Sequence, residues 1–173
     1  MTETPGTAAD DPTAALISEL TRRGLTIAVA ESLTGGALAA ELIRIPGASV
    51  VVAGGIVAYQ TELKNTLLGV DPALLAATGP VDPEVARQMA AGARRRLTLD
   101  GRGADIGVAT TGVAGPDPQG GRQPGTVYLG LSIGTESSAI PLHLAGDRAA
   151  IRAKTVAAAV EAVRGLIATL PTE

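Results

Sequence analysis

Apolar residues fall along this chain in short runs that switch between two periods, and the switching predicts helices interleaved with strands. Leu16, Ile17 and Leu20 recur at helical spacing behind Asp11-Pro12, a cap followed by proline at the first helical position, and Gly24 ends the pattern. This predicts a helix over 12–23. Leu25 to Ala30 is a strand-length run that gives way at Glu31-Ser32-Leu33-Thr34-Gly35-Gly36 to a second helical pattern with Leu38, Leu42 and Ile43, closed by Pro46-Gly47. Ser49 to Tyr59 predicts a strand interrupted at Gly54-Gly55, where a bulge or close backbone approach is expected, and a short helix over 61–68 follows. Asp71-Pro72 and Asp82-Pro83 repeat the cap signal, the second opening a helix through Val85, Met89 and Ala93 to Arg96.

Ala104 to Thr110 is the next apolar strand, and Thr111 to Pro124, rich in Gly, Pro and Gln, reads as an irregular, exposed loop. Thr126–Ile133 and Ser138–Leu144 form a hairpin about Gly134-Thr135-Glu136, with Pro141 placing its second strand at a sheet edge, and a last helix runs over 148–170. The sum is an α/β fold: a three-layer α/β/α sandwich with a mixed, mostly parallel sheet, as a single domain over 12–170 behind a flexible tail over 1–11. Ligands of such sheets sit beyond the carboxyl ends of the strands, which selects the loops Glu31–Gly36 and Thr110–Pro116.

Composition narrows the chemistry. With 173 residues the chain buries one substantial core, and with no Phe, no Trp and two Tyr that core is built from small aliphatic side chains. A net charge of −3 and the scarcity of stacking aromatics argue against direct nucleic-acid binding; the cluster Arg94-Arg95-Arg96 reads as a solvated helix end whose cations suit the C-terminal dipole. No run reaches the roughly 18 apolar residues of a membrane span and the N-terminus lacks a signal-peptide pattern, so no membrane contact and a cytoplasmic location are expected. The apolar excess and few charges predict a buried subunit contact, hence a homo-oligomer. No cysteine and a single histidine, His143, leave no metal site, thiol nucleophile or disulfide to expect.

The remaining nucleophiles are oxygens. Ser32 stands at a strand-to-helix turn, where it reads either as a nucleophile beside the free amides of a helix start or as a helix cap. His143, the single histidine, falls in the edge strand away from both loops and reads as structural, which makes a Ser-His-Asp triad a weak reading. Lys64 can serve as the base if burial lowers its pKa, and Tyr59 is near enough in sequence to share a site with it; otherwise Lys64 is a solvated helix residue. Thr110, Thr111, Gly112 and Gly115 offer hydroxyls and flexible amides as an anion cradle, although the stretch matches neither the P-loop nor the dinucleotide fingerprint. Arg148 either pairs with a phosphate or faces solvent behind the cap Asp147.

Taken together, Ala30-Glu31-Ser32-Leu33-Thr34-Gly35-Gly36, Gly54-Gly55-Ile56-Val57-Ala58-Tyr59 with Lys64 and Leu68-Gly69-Val70, Thr111-Gly112-Val113-Ala114-Gly115-Pro116, Gly125-Thr126-Val127-Tyr128 and Gly146-Asp147-Arg148 closely resemble the CinA C-terminal family over about residues 12–168. The resemblance implies an α/β/α domain that hydrolyses the carboxamide of a small-molecule substrate, nicotinamide mononucleotide, in pyridine nucleotide salvage, without cofactor or metal. It further implies Ser32 as nucleophile, Lys64 as general base and then acid to the leaving ammonia, and Tyr59 as the group that orients or relays the proton. Substrate contacts are expected from Glu31, Thr34, Gly35, Gly36, Thr110, Thr111, Gly112, Gly115 and Arg148. The sequence departs from the family pattern at Leu33, where many members have Cys, and at Gln123-Pro124-Gly125, where Lys-Pro-Val-Gly is common. A non-catalytic module that binds a nucleotide or a protein partner is the competing reading.

Overall fold

The protein's structure, a computed structural model, describes residues 11–171. The expected tail over 1–11 lies outside the described residues except for Asp11. In chain order the elements are α1 (Pro12–Arg23), β1 (Ile27–Glu31), α2 (Ala37–Ile43), a 3-10 turn (Ala48–Val50), β2 (Val52–Val57), α3 (Thr61–Leu68), α4 (Pro72–Thr78), α5 (Pro83–Arg96), β3 (Thr98–Leu99), β4 (Arg102–Gly103), β5 (Ile106–Gly112), β6 (Thr126–Ile133), β7 (Glu136–His143) and α6 (Arg148–Ala168).

The three Asp-Pro pairs act as read. Asp11 accepts from the amides of Thr13 and Ala14, Asp71 from Ala73, and Asp82 from Glu84 and Val85, each supplying an acceptor to a helix start whose proline needs none. The main sheet runs β2-β1-β5-β6-β7, with β1 parallel to both β2 and β5, and the β5–β6 and β6–β7 pairs antiparallel. β7, which carries Pro141, is an edge strand.

The two faces of the sheet are packed differently. One presents Ile27, Val29, Ile106, Val108, Val127, Leu129 and Leu131 to α1, α2 and α6. The other presents Ala28, Ala30 and Ala109, and α5 lies hard against it. A Cβ at Gly107 would overlap the Ala90 carbonyl oxygen, and one at Gly130 that of Ala86, so only glycine lets the helix backbone approach this closely. Gly92 admits the Leu68 carbonyl of α3 in the same way, locking the second helix onto the first.

Three local expectations are corrected. The second strand starts at Val52, because Ala48–Val50 closes into a 3-10 turn, and it runs unbroken through Gly54-Gly55. The irregularity falls one residue earlier, where Ile27 pairs with Val52 but Ala28 with Gly54, while Gly55 is where α2 approaches closely, the Ala39 Cβ lying 3.0 Å from where a Gly55 Cβ would stand. The loop expected from Thr111 begins later: Thr111 and Gly112 continue β5, and Val113 and Ala114 are buried. The β3–β4 hairpin was not anticipated, although Asp100-Gly101, both left-handed, is a two-residue turn signal.

Candidate active site

The carboxyl ends of β1, β2 and β5 deliver three segments to one place. β1 ends at Glu31, and the Ser32 amide continues the parallel ladder by donating to the Thr110 carbonyl at 2.9 Å, which fixes where the Ser32 side chain starts. β2 ends at Val57, and the chain turns through Ala58-Tyr59-Gln60 into α3, whose first turn sends Lys64 back beneath it. Lys64 Nζ lies 3.0 Å from Ser32 Oγ and donates to the Ala58 carbonyl at 2.8 Å.

Lys64 is 1% exposed, among the largest fully buried side chains of the molecule, with no carboxylate among its hydrogen-bond partners. Burial without a counter-charge pushes its pKa down from 10.5 to about 8. A neutral amine keeps a lone pair, and at 3.0 Å the Lys64 nitrogen is within hydrogen-bond reach of the Ser32 hydroxyl. Ser32 is 8% exposed, reachable from the cleft yet sheltered from bulk water. The pair is therefore equipped for proton transfer out of Ser32.

The cleft in front of the pair has a volume of about 230 Å³, and its lining includes Tyr59, Thr111, Gly112, Gly115 and Arg148. Arg148, in the first turn of α6, donates to the Gly115 carbonyl at 2.8 Å and to Tyr59 Oη at 3.1 Å. Tyr59 is half-exposed at the rim, and its hydroxyl is engaged with Arg148, not with Ser32 or Lys64. Thr111 is buried and its hydroxyl donates to the Pro80 carbonyl at 2.6 Å, tying β5 to the segment that leads into α5. Val113 donates its amide to the Thr126 carbonyl and accepts from the Gly125 amide, so both its polar groups face the β6 side; the alternation of a strand turns the Gly112 amide to the β1 side. Gly112 must be glycine, since a Cβ there would stand 2.7 Å from the Thr126 carbonyl oxygen.

Five expected substrate contacts sit elsewhere. Glu31 is fully buried, and its carboxylate accepts from the amides of Gly36, Leu38 and Ala39 at 3.0, 3.0 and 2.8 Å. It, and not Ser32 or Thr34, caps α2, and it uses up the helix-start amides that an oxyanion or phosphate was expected to find. Thr34 and Thr110 are fully buried and share a hydrogen bond at 2.7 Å between their hydroxyls, joining the turn to the sheet. Gly35 and Gly36 make the left-handed turn into α2 and lie outside the cleft lining. His143 ends β7, paired with Thr126, away from the cleft.

Sequence reasoning missed Arg152, Asp117 and Gln119. Arg152, one helical turn after Arg148, donates to the carbonyls of Leu33 at 3.0 Å and Thr34 at 2.7 Å and so pins the turn behind the nucleophile; the i, i+4 spacing from Arg148 was the available signal. Asp117 and Gln119 reach the cleft from an irregular exposed loop, where no periodicity reports direction. Among the described residues no three His, Cys, Asp or Glu side chains gather as a metal site, and no helix is long and apolar enough to cross a membrane.

Comparison with known proteins agrees with this architecture. A CinA-like protein of Frankia casuarinae is 46% identical over 166 residues, covering 96% of this chain and 37% of its own length, so the chain spans little more than a third of that relative. The crystal structure of the competence/damage inducible protein CihA from Agrobacterium tumefaciens superposes with a TM-score of 0.84 at 33% identity, covering 96% of this chain and 99% of that one. A competence-damaged protein (CinA) superfamily protein from Escherichia coli gives a TM-score of 0.84 at 29% identity, with 96% and 94% covered. The CinA C-terminal domain description matches residues 10–167, and with that span, this fold and these relatives the chain belongs to the CinA C-terminal domain family.

Proposed function

We propose that the chain is a nicotinamide mononucleotide amidohydrolase, converting the carboxamide to the acid with release of ammonia. The observation that carries the reading is the buried, uncompensated Lys64 amine 3.0 Å from Ser32 Oγ at the floor of a cleft. In this reading Ser32 Oγ attacks the carboxamide carbon while its proton passes to neutral Lys64. The tetrahedral oxyanion is met by the amides of Leu33 and Gly112, in place of those that Glu31 occupies. Lys64 then returns the proton to the departing nitrogen, the C–N bond breaks, and ammonia leaves an ester on Ser32. Water attacks that ester, giving its proton to Lys64, and Lys64 re-protonates Ser32 as the acid departs. Arg148 takes the 5′-phosphate at the rim, exchanging one of its two present acceptors for a charged one.

The test is ammonia release from nicotinamide mononucleotide by the purified protein in EDTA, beside Ser32→Ala and Lys64→Ala. Turnover that both substitutions abolish supports the Ser/Lys amidohydrolase; a folded wild-type protein that binds the nucleotide but releases no ammonia would instead be the non-catalytic module.

A further inference from the structure

The charged side chains lining the cleft are Lys64, Arg148 and Asp117. Two are basic and both are committed: Lys64 to Ser32 and Ala58, Arg148 to Gly115 and Tyr59. Asp117 is the sole carboxylate in the lining, it is exposed, and among the described residues it takes part in no ion pair. An acidic group held on the wall of a cleft that is otherwise basic is unfavourable for an anion. It suits a substrate with a cationic part.

We propose that Asp117 is a specificity-determining residue that selects a substrate ring carrying a fixed positive charge. The inference rests on the amidohydrolase reading and deepens it. In a nicotinamide nucleotide the quaternary pyridinium nitrogen stands two bonds round the ring from the carbon that bears the carboxamide. With that carboxamide at Ser32, the ring charge enters the cleft beside Lys64, a buried amine that has no carboxylate partner to offset a second cation. The Asp117 carboxylate supplies the compensating charge, while the phosphate is drawn to the opposite sign at Arg148. The cleft thus sorts the two charges of a zwitterionic nucleotide, and a carboxamide on a neutral ring forfeits one of the two attractions.

The experiment compares nicotinamide mononucleotide with its dihydro form, which keeps the ribose and phosphate but has no ring charge. Dissociation constants for both are measured by calorimetry on Ser32→Ala protein, which removes turnover, and on Ser32→Ala/Asp117→Asn. The expected result is that the preference for the oxidised nucleotide falls about tenfold on Asp117→Asn, equivalent to about 1.4 kcal/mol, and returns with Asp117→Glu. A preference unchanged by Asp117→Asn overturns the inference, assigning any common loss of affinity to ribose contacts or loop structure. Binding of neither nucleotide overturns it too. Ammonia release by the wild type, measured in parallel, separates the cases: with turnover present and the preference unchanged, the Asp117 inference alone fails.

Discussion

Arg148 donates to the hydroxyl of Tyr59 at 3.1 Å and to the carbonyl of Gly115 at 2.8 Å, so a single guanidinium joins α6, the segment after β2 and the loop after β5 at the rim of the cleft. If it also receives the phosphate, Arg148→Ala raises KM for nicotinamide mononucleotide by about 10- to 100-fold, the range set by a charge-assisted hydrogen bond. The riboside, which has no phosphate, loses much less. Steady-state kinetics on the two substrates checks this, and equal losses on both would assign Arg148 to rim structure alone.

Protonation of Lys64 sets the pH dependence of the proposed reaction. The base works only when neutral, and its pKa is about 8, so kcat/KM rises tenfold per pH unit below that value and levels off above it. A pH–rate profile flat between pH 6 and 9 is the outcome that removes Lys64 as the base.

The same burial makes Lys64 a source of instability. Its folded pKa, about 8, lies below the ordinary 10.5, so between those values the unfolded chain holds more protons and stability increases with pH. The cost is in full force below pH 8 and is relieved by pH 10.5. Lys64→Met, matched in length and apolar, is expected to be inactive yet more stable at pH 7, by something on the order of 3 kcal/mol, with the gain shrinking as pH climbs through that window. Urea melts of both proteins at pH 7 and 10 provide the measurement.

Glu31 offers a contrast, since it is a buried carboxylate whose oxygens are met by three amides. Glu31→Gln replaces one acceptor oxygen by a donor facing N–H groups. A loss of about 3 kcal/mol is expected, together with a loosened Ser32 turn and reduced turnover. Thermal melting that matches wild type would show that the cap is dispensable.

Much of the fold could be read because its signals are local. Asp71-Pro72 and Asp82-Pro83 are two-residue cap signatures, and Pro141 in an apolar alternation already implies an edge. The Ser32–Lys64 pairing was foreseen only from residue type and family likeness, since nothing in the spacing of 32 and 64 encodes a hydrogen bond between the turn after a strand and a helix. Glu31 escaped because a capping acid is sought behind a serine or threonine, three residues into the helix, whereas this one reaches forward five to eight residues from inside a strand. Asp117 escaped because loop residues carry no period from which a direction can be inferred.

Gly92, Gly107 and Gly130 form a chain of contacts in which α3 rests on α5 and α5 on the sheet. Lys64 rides on α3 and Ser32 on the end of a sheet strand, so the distance between the two reacting atoms depends on layers whose backbones touch at these three glycines, with Leu68, Val85 and Met89 filling the space around them. Gly92→Ala is accordingly expected to cost about 3 kcal/mol and to depress turnover from a position outside the cleft lining, as thermal melting and kinetics on the same preparation would record. The opposite face, filled by interchangeable Leu, Ile and Val, can exchange one aliphatic for another with its total volume kept. Substitution thus has room on one side of the sheet and almost none at the glycines of the other, and it is on that unyielding side that the lysine is carried.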